Sequence, residues 1–340
     1  MRVGALLAAL SVVGSIVAAP PVSAAPADTR PTAVVSLGDS AISGEGAGSY
    51  EPGTEGEGGN WCHRSTRALV HRTQLADRTF NLACSGADSA NVSLADTTHY
   101  TEGSQARRLI DIARQNRVTT VVLQVGANDD PQFADTIVSC IAAWLNPFGS
   151  SCRSTLQTQW PARLAAMAPK VEAAIADVRS AMTQAGYSAG SYSFVLASYA
   201  SPVTEKMDKA LHGPQGCPLR LADAEYGRTV AVPQFSDALR GVATRTGVKF
   251  LDFARATENR EACSRGASPA GEWQRRITVD PEALVHGGLD AIGIHLAQQS
   301  FHPNADGHAQ LGRCVTEFVL SGSTTARCLQ GTDGSLHAVP

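Results

Sequence analysis

Three short segments of this chain hold the parts for attack on a carbonyl carbon: Gly38-Asp39-Ser40, Ala83-Cys84-Ser85-Gly86-Ala87 and Gly126-Ala127-Asn128-Asp129. The first offers a hydroxyl, the second a backbone N–H where glycine allows close approach, the third a side-chain amide that donates without titrating. Together they suit acyl transfer, in which Ser40 attacks and its own N–H, the Gly86 N–H and the Asn128 amide stabilise the developing oxyanion. Serine is a weak nucleophile near neutral pH, so a base must take its proton, and histidine is the usual one. Of nine histidines, His302 stands in Phe301-His302-Pro303-Asn304-Ala305-Asp306-Gly307-His308, ahead of the last helical pattern. Pro303 suits the first turn of that helix, which leaves His302 in the loop before it. His308 falls inside the helix, in a packing or surface role, and His63, His71, His99, His212, His286, His295 and His337 have no comparable setting.

Other signals are weaker. Asp39 and Asp129 could pair as in glycosidases, but an aspartate after a strand more often accepts hydrogen bonds from turn amides. His286-Gly287-Gly288 suggests a lipase oxyanion loop, yet the chain has no Gly-x-Ser-x-Gly elbow. Gly44 to Gly59 is acidic and lacks the Lys-Ser/Thr of a phosphate cradle. Asn91-Val92-Ser93 fits a glycosylation acceptor. Trp61, Trp144 and Phe148 could line an acyl groove or plug a loop.

The elements that must position these residues alternate. Apolar, valine-rich runs at Thr32 to Leu37, Thr79 to Ala83, Val118 to Val125, Ser193 to Ala197 and Val248 to Phe253 read as buried strands. Between and after them, Leu164, Met167, Val171, Ile175, Val178 and Met182 recur at helical spacing, as do the apolar residues of Ser104 to Asn116 and Asp306 to Leu320. Such alternation implies a parallel sheet covered on both faces, with ligands bound beyond the carboxyl ends of its strands, where the three segments fall. Ala41 to Arg67, Asp130 to Gln159, Ser198 to Asp223 and Ala254 to Phe301 read as long loops that build a cleft and rim.

The N-terminus pairs Arg2 with an apolar run, Ala5 to Ala19, and small residues at Val22 to Ala25, the layout of a signal peptide over 1–24. The run is shorter than the roughly 20 apolar residues a spanning helix needs. Residues 25–340 follow with no linker and read as a single domain with a C-terminal tail. A net charge of −3 with no Lys/Arg cluster argues against nucleic acid or an anionic membrane surface as partner. Eight cysteines behind an export signal, with no Cys-x-x-Cys, point to disulfides in an oxidising compartment rather than to metal or redox sites. Their order permits four local bridges between successive cysteines, each worth about 2–4 kcal/mol.

Gly38-Asp39-Ser40 with its trailing Ala41-Ile42-Ser43-Gly44-Glu45-Gly46, then Gly86, then Gly126-Ala127-Asn128-Asp129, then His302-Pro303-Asn304 resemble, in order and spacing, the four blocks of the SGNH (GDSL-like) hydrolases. The likeness spans nearly all of the chain beyond the signal segment. It implies an α/β, flavodoxin-like three-layer sandwich with a five-stranded parallel sheet of order 2-1-3-4-5. Ser40 then takes the nucleophile position, Ser40, Gly86 and Asn128 the oxyanion positions, and His302 the base. The chain is most similar to the secreted, disulfide-bridged bacterial esterases, lipases and phospholipases of that family, which implies pairs Cys62 with Cys84, Cys140 with Cys152, and Cys217 with Cys263. Cys314 and Cys328 are left over for a fourth bridge. Most of the family has an aspartate three residues before the base, where this chain has Gln299. The resemblance then implies that the Gln299 main-chain carbonyl orients the imidazole, with Asp290 or Asp280 as alternative acids.

The expectation is therefore a secreted, monomeric serine hydrolase that cleaves lipid or related acyl esters through an acyl-enzyme. It needs no cofactor or metal, binds no nucleic acid and does not insert stably into membranes. The alternatives are an acetyl-ester deacetylase of polysaccharides on the same machinery, or an inactive binding protein that keeps the fold.

Overall fold

The computed structural model describes Met1 and residues 28–214, 216–264, 268–279, 282–286, 295 and 297–340. Apart from Met1, the expected signal segment lies outside these residues, as do Asp280 and Asp290.

Each expected strand forms within a residue or two of its apolar run, because buried parallel strands require apolar side chains on both faces. They are β1 (Thr32–Gly38), β2 (Arg78–Asn81), β5 (Arg117–Gln124), β6 (Ser193–Ala197) and β7 (Lys249–Asp252). A small antiparallel pair, β3 (Thr98–His99) and β4 (Glu102–Gly103), stands apart. The main sheet runs β2-β1-β5-β6-β7-β8-β9, so the expected five-strand order is present, but the sheet has seven strands. The two additions, β8 (Thr325–Gln330) and β9 (Leu336–Val339), come from the C-terminal tail. β8 pairs parallel to β7, and β9 returns antiparallel to it. In β8 only Ala326 and Cys328 point inward, so it carries no apolar run to read, and the alternation of a half-covered edge takes its place.

The helices are α1 (Ser40–Ser43), α2 (Ser89–Val92), α3 (Gln105–Gln115), α4 (Phe133–Leu145), α5 (Cys152–Gln184), α6 (Leu221–Tyr226), α7 (Val232–Thr246), α8 (Glu282–His286) and α9 (Ala305–Ser321). One core joins Ala33, Val35 and Leu37 of β1 to α3, α5 and α7, and another joins Val34 of β1 to Leu311, Val315 and Phe318 of α9. Successive β1 side chains thus serve opposite layers, the period of two expected of a strand. The stripe from Leu164 to Met182 is buried as expected, but α5 begins at Cys152 and continues through Pro161 and Pro169. The interval Asp130 to Gln159 is therefore largely helical. Its α4 carries apolar residues on all sides and buries only Cys140, so no stripe marks it in the sequence. Disulfides join Cys62–Cys84, Cys140–Cys152, Cys217–Cys263 and Cys314–Cys328. Among the described residues no helix is long and apolar enough to cross a membrane.

Candidate active site

β1 ends at Gly38, where φ is +137° and an added Cβ would lie 1.8 Å from the Gln124 carbonyl oxygen of β5. Only glycine fits this close approach. The Gln105 side chain of α3 grips the same residue, accepting from Gly38 N at 2.7 Å and donating to Gly38 O at 2.8 Å. Asp39 then caps α1, its carboxylate accepting from Ala41 N at 3.0 Å, and Ser40 is the first helical residue. This is the turn role expected of an aspartate after a strand.

Asp39 is buried and takes a second, short hydrogen bond from the Tyr199 hydroxyl, which lies beyond β6 and itself accepts from Ala127 N at 3.3 Å. Burial drives the Asp39 carboxyl up to about 7, against the pull of the Tyr199 and Ala41 hydrogen bonds. Asp129 is pushed up to about 6 by burial, opposed by Ser89, whose N and Oγ donate to it at 3.2 and 2.8 Å. Asp39 is thus committed to its own turn, and Asp129 to the start of α2 rather than to a turn of its own.

Gly86 follows Cys84, which the Cys62 bridge and a hydrogen bond from Cys84 N to Gly38 O tie to the end of β1. Asn128 follows β5, and its amide donates to Ala87 O at 2.9 Å. An amide carries two N–H groups, so this bond orients Asn128 and leaves one donor. Among the described residues, no protein acceptor meets the N–H of Ser40 or of Gly86.

His302 precedes α9, whose cap is Asn304, its side chain accepting from Gly307 N at 2.9 Å. Pro303 therefore sits just before the cap rather than in the first turn. His302 Nε2 lies 2.8 Å from Ser40 Oγ. Its Nδ1 lies 3.0 Å from the main-chain oxygen of Ser300. A carbonyl can only accept, so Nδ1 holds the proton and Nε2 offers its lone pair to the serine hydroxyl. This corrects the expectation for Gln299. The chain turns at Ser300 and Phe301, whose φ is +60°, which brings the Ser300 carbonyl to the ring; that of Gln299 lies 3.3 Å from the Cβ position of Gly46. Burial lowers the His302 pKa below 6.5, against the opposing field of Glu45.

Behind the ring is a buried group that sequence reasoning missed. The Glu45 carboxylate accepts from His63 Nδ1 at 2.8 Å and from Gln298 Nε2 at 2.9 Å. Gln298 Nε2 also lies within hydrogen-bond distance of Ser85 Oγ at 2.8 Å and Trp61 O at 3.1 Å, joining the loops that carry Ser40, Gly86 and His302. His63 stacks on Tyr50 with ring centres 4.5 Å apart, and Trp61 stacks on His295 at 4.3 Å. Trp61 is thus a plug beneath the Cys62 loop. Phe148 is fully exposed, and Trp144 lies edge-on to His212. Glu45 was legible as part of the first block; Tyr199, His63, Gln298 and Ser300 carry no local pattern. Asn91 is part of α2, where its side chain accepts from Asp88 N at 3.0 Å in a capping box.

A serine hydroxyl on a histidine, beside free backbone donors and an oriented amide at the carboxyl ends of parallel strands, defines an ester hydrolase site of the serine type. A model of the GDSL-like lipase/acylhydrolase family matches residues 36–310, and the chain belongs to that family. It is a carboxylic-ester hydrolase of the esterase and lipase type. The chain is similar to "Lipase 2" of Streptomyces coelicolor, 26% identical over 300 residues that cover 85% of this chain and 86% of that protein. The fold is similar to that of an extracellular lipase from Streptomyces rimosus (TM-score 0.55, 23% identity), over 86% of this chain and 100% of that one. It is also similar to a phospholipase A1 from Streptomyces albidoflavus (TM-score 0.53, 22% identity), over 86% of this chain and 99% of that one.

Proposed function

We propose that this protein is a secreted, monomeric serine hydrolase that cleaves acyl esters of lipids through an acyl-enzyme on Ser40. The observation that carries the reading is the contact of Ser40 Oγ with His302 Nε2 at 2.8 Å, with Nδ1 occupied by the Ser300 carbonyl. His302 accepts the serine proton as Ser40 attacks the ester carbonyl, then returns it to the leaving alcohol. Water repeats the sequence on the acyl-enzyme, with His302 again as base. Ser40 N–H, Gly86 N–H and the free Asn128 donor stabilise the oxyanion of both tetrahedral intermediates. No step calls on a cofactor.

A lipid acyl group is favoured over an acetyl group on sugar by the likeness to a lipase over 85% of this chain. Secretion is supported by the 1–24 pattern, the four disulfides and the extracellular lipase of similar fold. The test is hydrolysis of p-nitrophenyl esters from acetate to palmitate by the disulfide-bonded protein and by Ser40→Ala. Turnover that rises with chain length and vanishes in Ser40→Ala is expected. Activity confined to acetate favours the deacetylase, and a folded protein inactive on every ester overturns the reading.

A further inference from the structure

In a dyad whose histidine leans on a carbonyl, nothing bonded to the ring carries the negative charge that would favour its protonated state. His302 takes up a proton as Ser40 attacks, and the Ser300 carbonyl fixes the tautomer while offering only a dipole. We propose that the carboxylate of Glu45, buried behind His302, supplies that missing charge and is a positioning residue for the dyad. The inference rests on the Ser40–His302 reading of the site.

Glu45 is one turn past the nucleophile, with its side chain wholly removed from solvent, as is that of His63. The following residue, Gly46, has φ +83°, and a Cβ there would stand 3.1 Å from His302 Cβ and 3.1 Å from Pro303 O. The backbone of Glu45-Gly46 is therefore packed directly on the base. Gln298 donates to the carboxylate from the same loop whose Ser300 holds Nδ1, so that loop is tied to Glu45 as well as to the ring. In so dry a setting a charge that does not touch the ring still acts on it, because little solvent intervenes.

Burial pushes the Glu45 carboxyl up, but the His63 ring and its hydrogen bond outweigh this and hold it below the usual carboxylate range. The charge of Glu45 raises the pKa of His302, and His63 opposes it. The other titratable groups packed around the base are His308 of α9 and Arg275, whose main-chain N donates to His302 O at 2.8 Å and whose guanidinium donates to Gly46 O. Among the described residues only Glu45 combines full burial, a lowered pKa and a neighbouring backbone packed on His302.

The test is the titration of the His302 ring in the free enzyme, followed by NMR and assigned by its loss in His302→Gln. It needs no substrate, so a wild type inactive on every ester, which would sink the dyad reading, is a separate outcome. In Glu45→Gln, which keeps the shape and the acceptor for His63 and Gln298, the His302 midpoint falls by about one pH unit, a tenfold change in proton affinity. The acid limb of kcat/KM moves down with it, and kcat falls about tenfold. In Glu45→Asp, which keeps the charge, the midpoint stays near that of wild type. An unmoved midpoint in Glu45→Gln overturns the proposal, as does a fall of about one unit in Glu45→Asp. The second result decides the matter even if Glu45→Gln does not fold.

Discussion

Ser40 reaches the site from the end of a central strand, held by Gln105, by a hydrogen bond from Asp39 N to the Gln124 carbonyl and by the Asp39 cap. His302 reaches the same point from the far end of a long connection after β7, held by the Glu45–Gln298 contact, the Gly46 packing and the Ser300 carbonyl. One half of the dyad is fixed by sheet geometry and the other by contacts between loops distant in sequence. The strand end determines where the nucleophile stands almost alone, whereas the orientation of the base depends on partners from its own loop and from the loop after Ser40.

Removing either half directly should have the largest effect. Ser40→Ala and His302→Ala are each expected to lower kcat about 10⁴-fold or more, and the double variant little further, because the two act as a unit. Steady-state ester hydrolysis with a thermal unfolding check measures this, and additive losses would break the pairing. Next, Asn128→Ala is expected to lower kcat about 100- to 1000-fold with KM nearly unchanged, the signature of a donor used in the transition state. A loss confined to KM would place Asn128 in substrate binding instead.

The pH profile sharpens the base side. His302 acts as a base only when neutral, and burial lowers its pKa, so activity is present above that pKa and lost as pH falls through it. The acid limb of kcat/KM is expected below pH 6.5, and a limb above that value would mean that burial does not govern the ring. The smallest effect on activity is expected far from both halves. Replacing Cys314 and Cys328 by alanine removes the bridge between α9 and β8 and should cost about 3 kcal/mol of stability while leaving kcat within about twofold. The same change at Cys62 and Cys84 should also lower kcat, since that bridge holds the Gly86 loop. Denaturant unfolding beside hydrolysis separates the two.

What could be read in the sequence follows the same division. The five central strands and Ser40, Gly86 and Asn128 at their ends are local features, because apolar runs mark strands and glycines mark the turns that follow. Loop register is different. The displacement of the Nδ1 acceptor from Gln299 to Ser300 turns on the positive φ of Phe301, a non-glycine residue held there by Arg275, whose main-chain oxygen accepts from Phe301 N at 3.0 Å. No local pattern announces such a contact. His63 and its pairing with Glu45 are hidden for a related reason: a buried ion pair consists of polar residues, which in isolation read as surface or loop. The C-terminal strands β8 and β9 and the helix α4 have no local signal because none of them presents the apolar period of a fully covered element.

Covalent labelling tests the Ser40–His302 reading most directly. The protein would be treated with an alkyl fluorophosphonate, which reacts with a serine only where a base activates it. Intact mass and peptide mapping are expected to show one adduct, on Ser40, absent from Ser40→Ala and formed far more slowly in His302→Ala. An adduct on another residue, or a Ser40 adduct formed as fast without His302, would contradict the account.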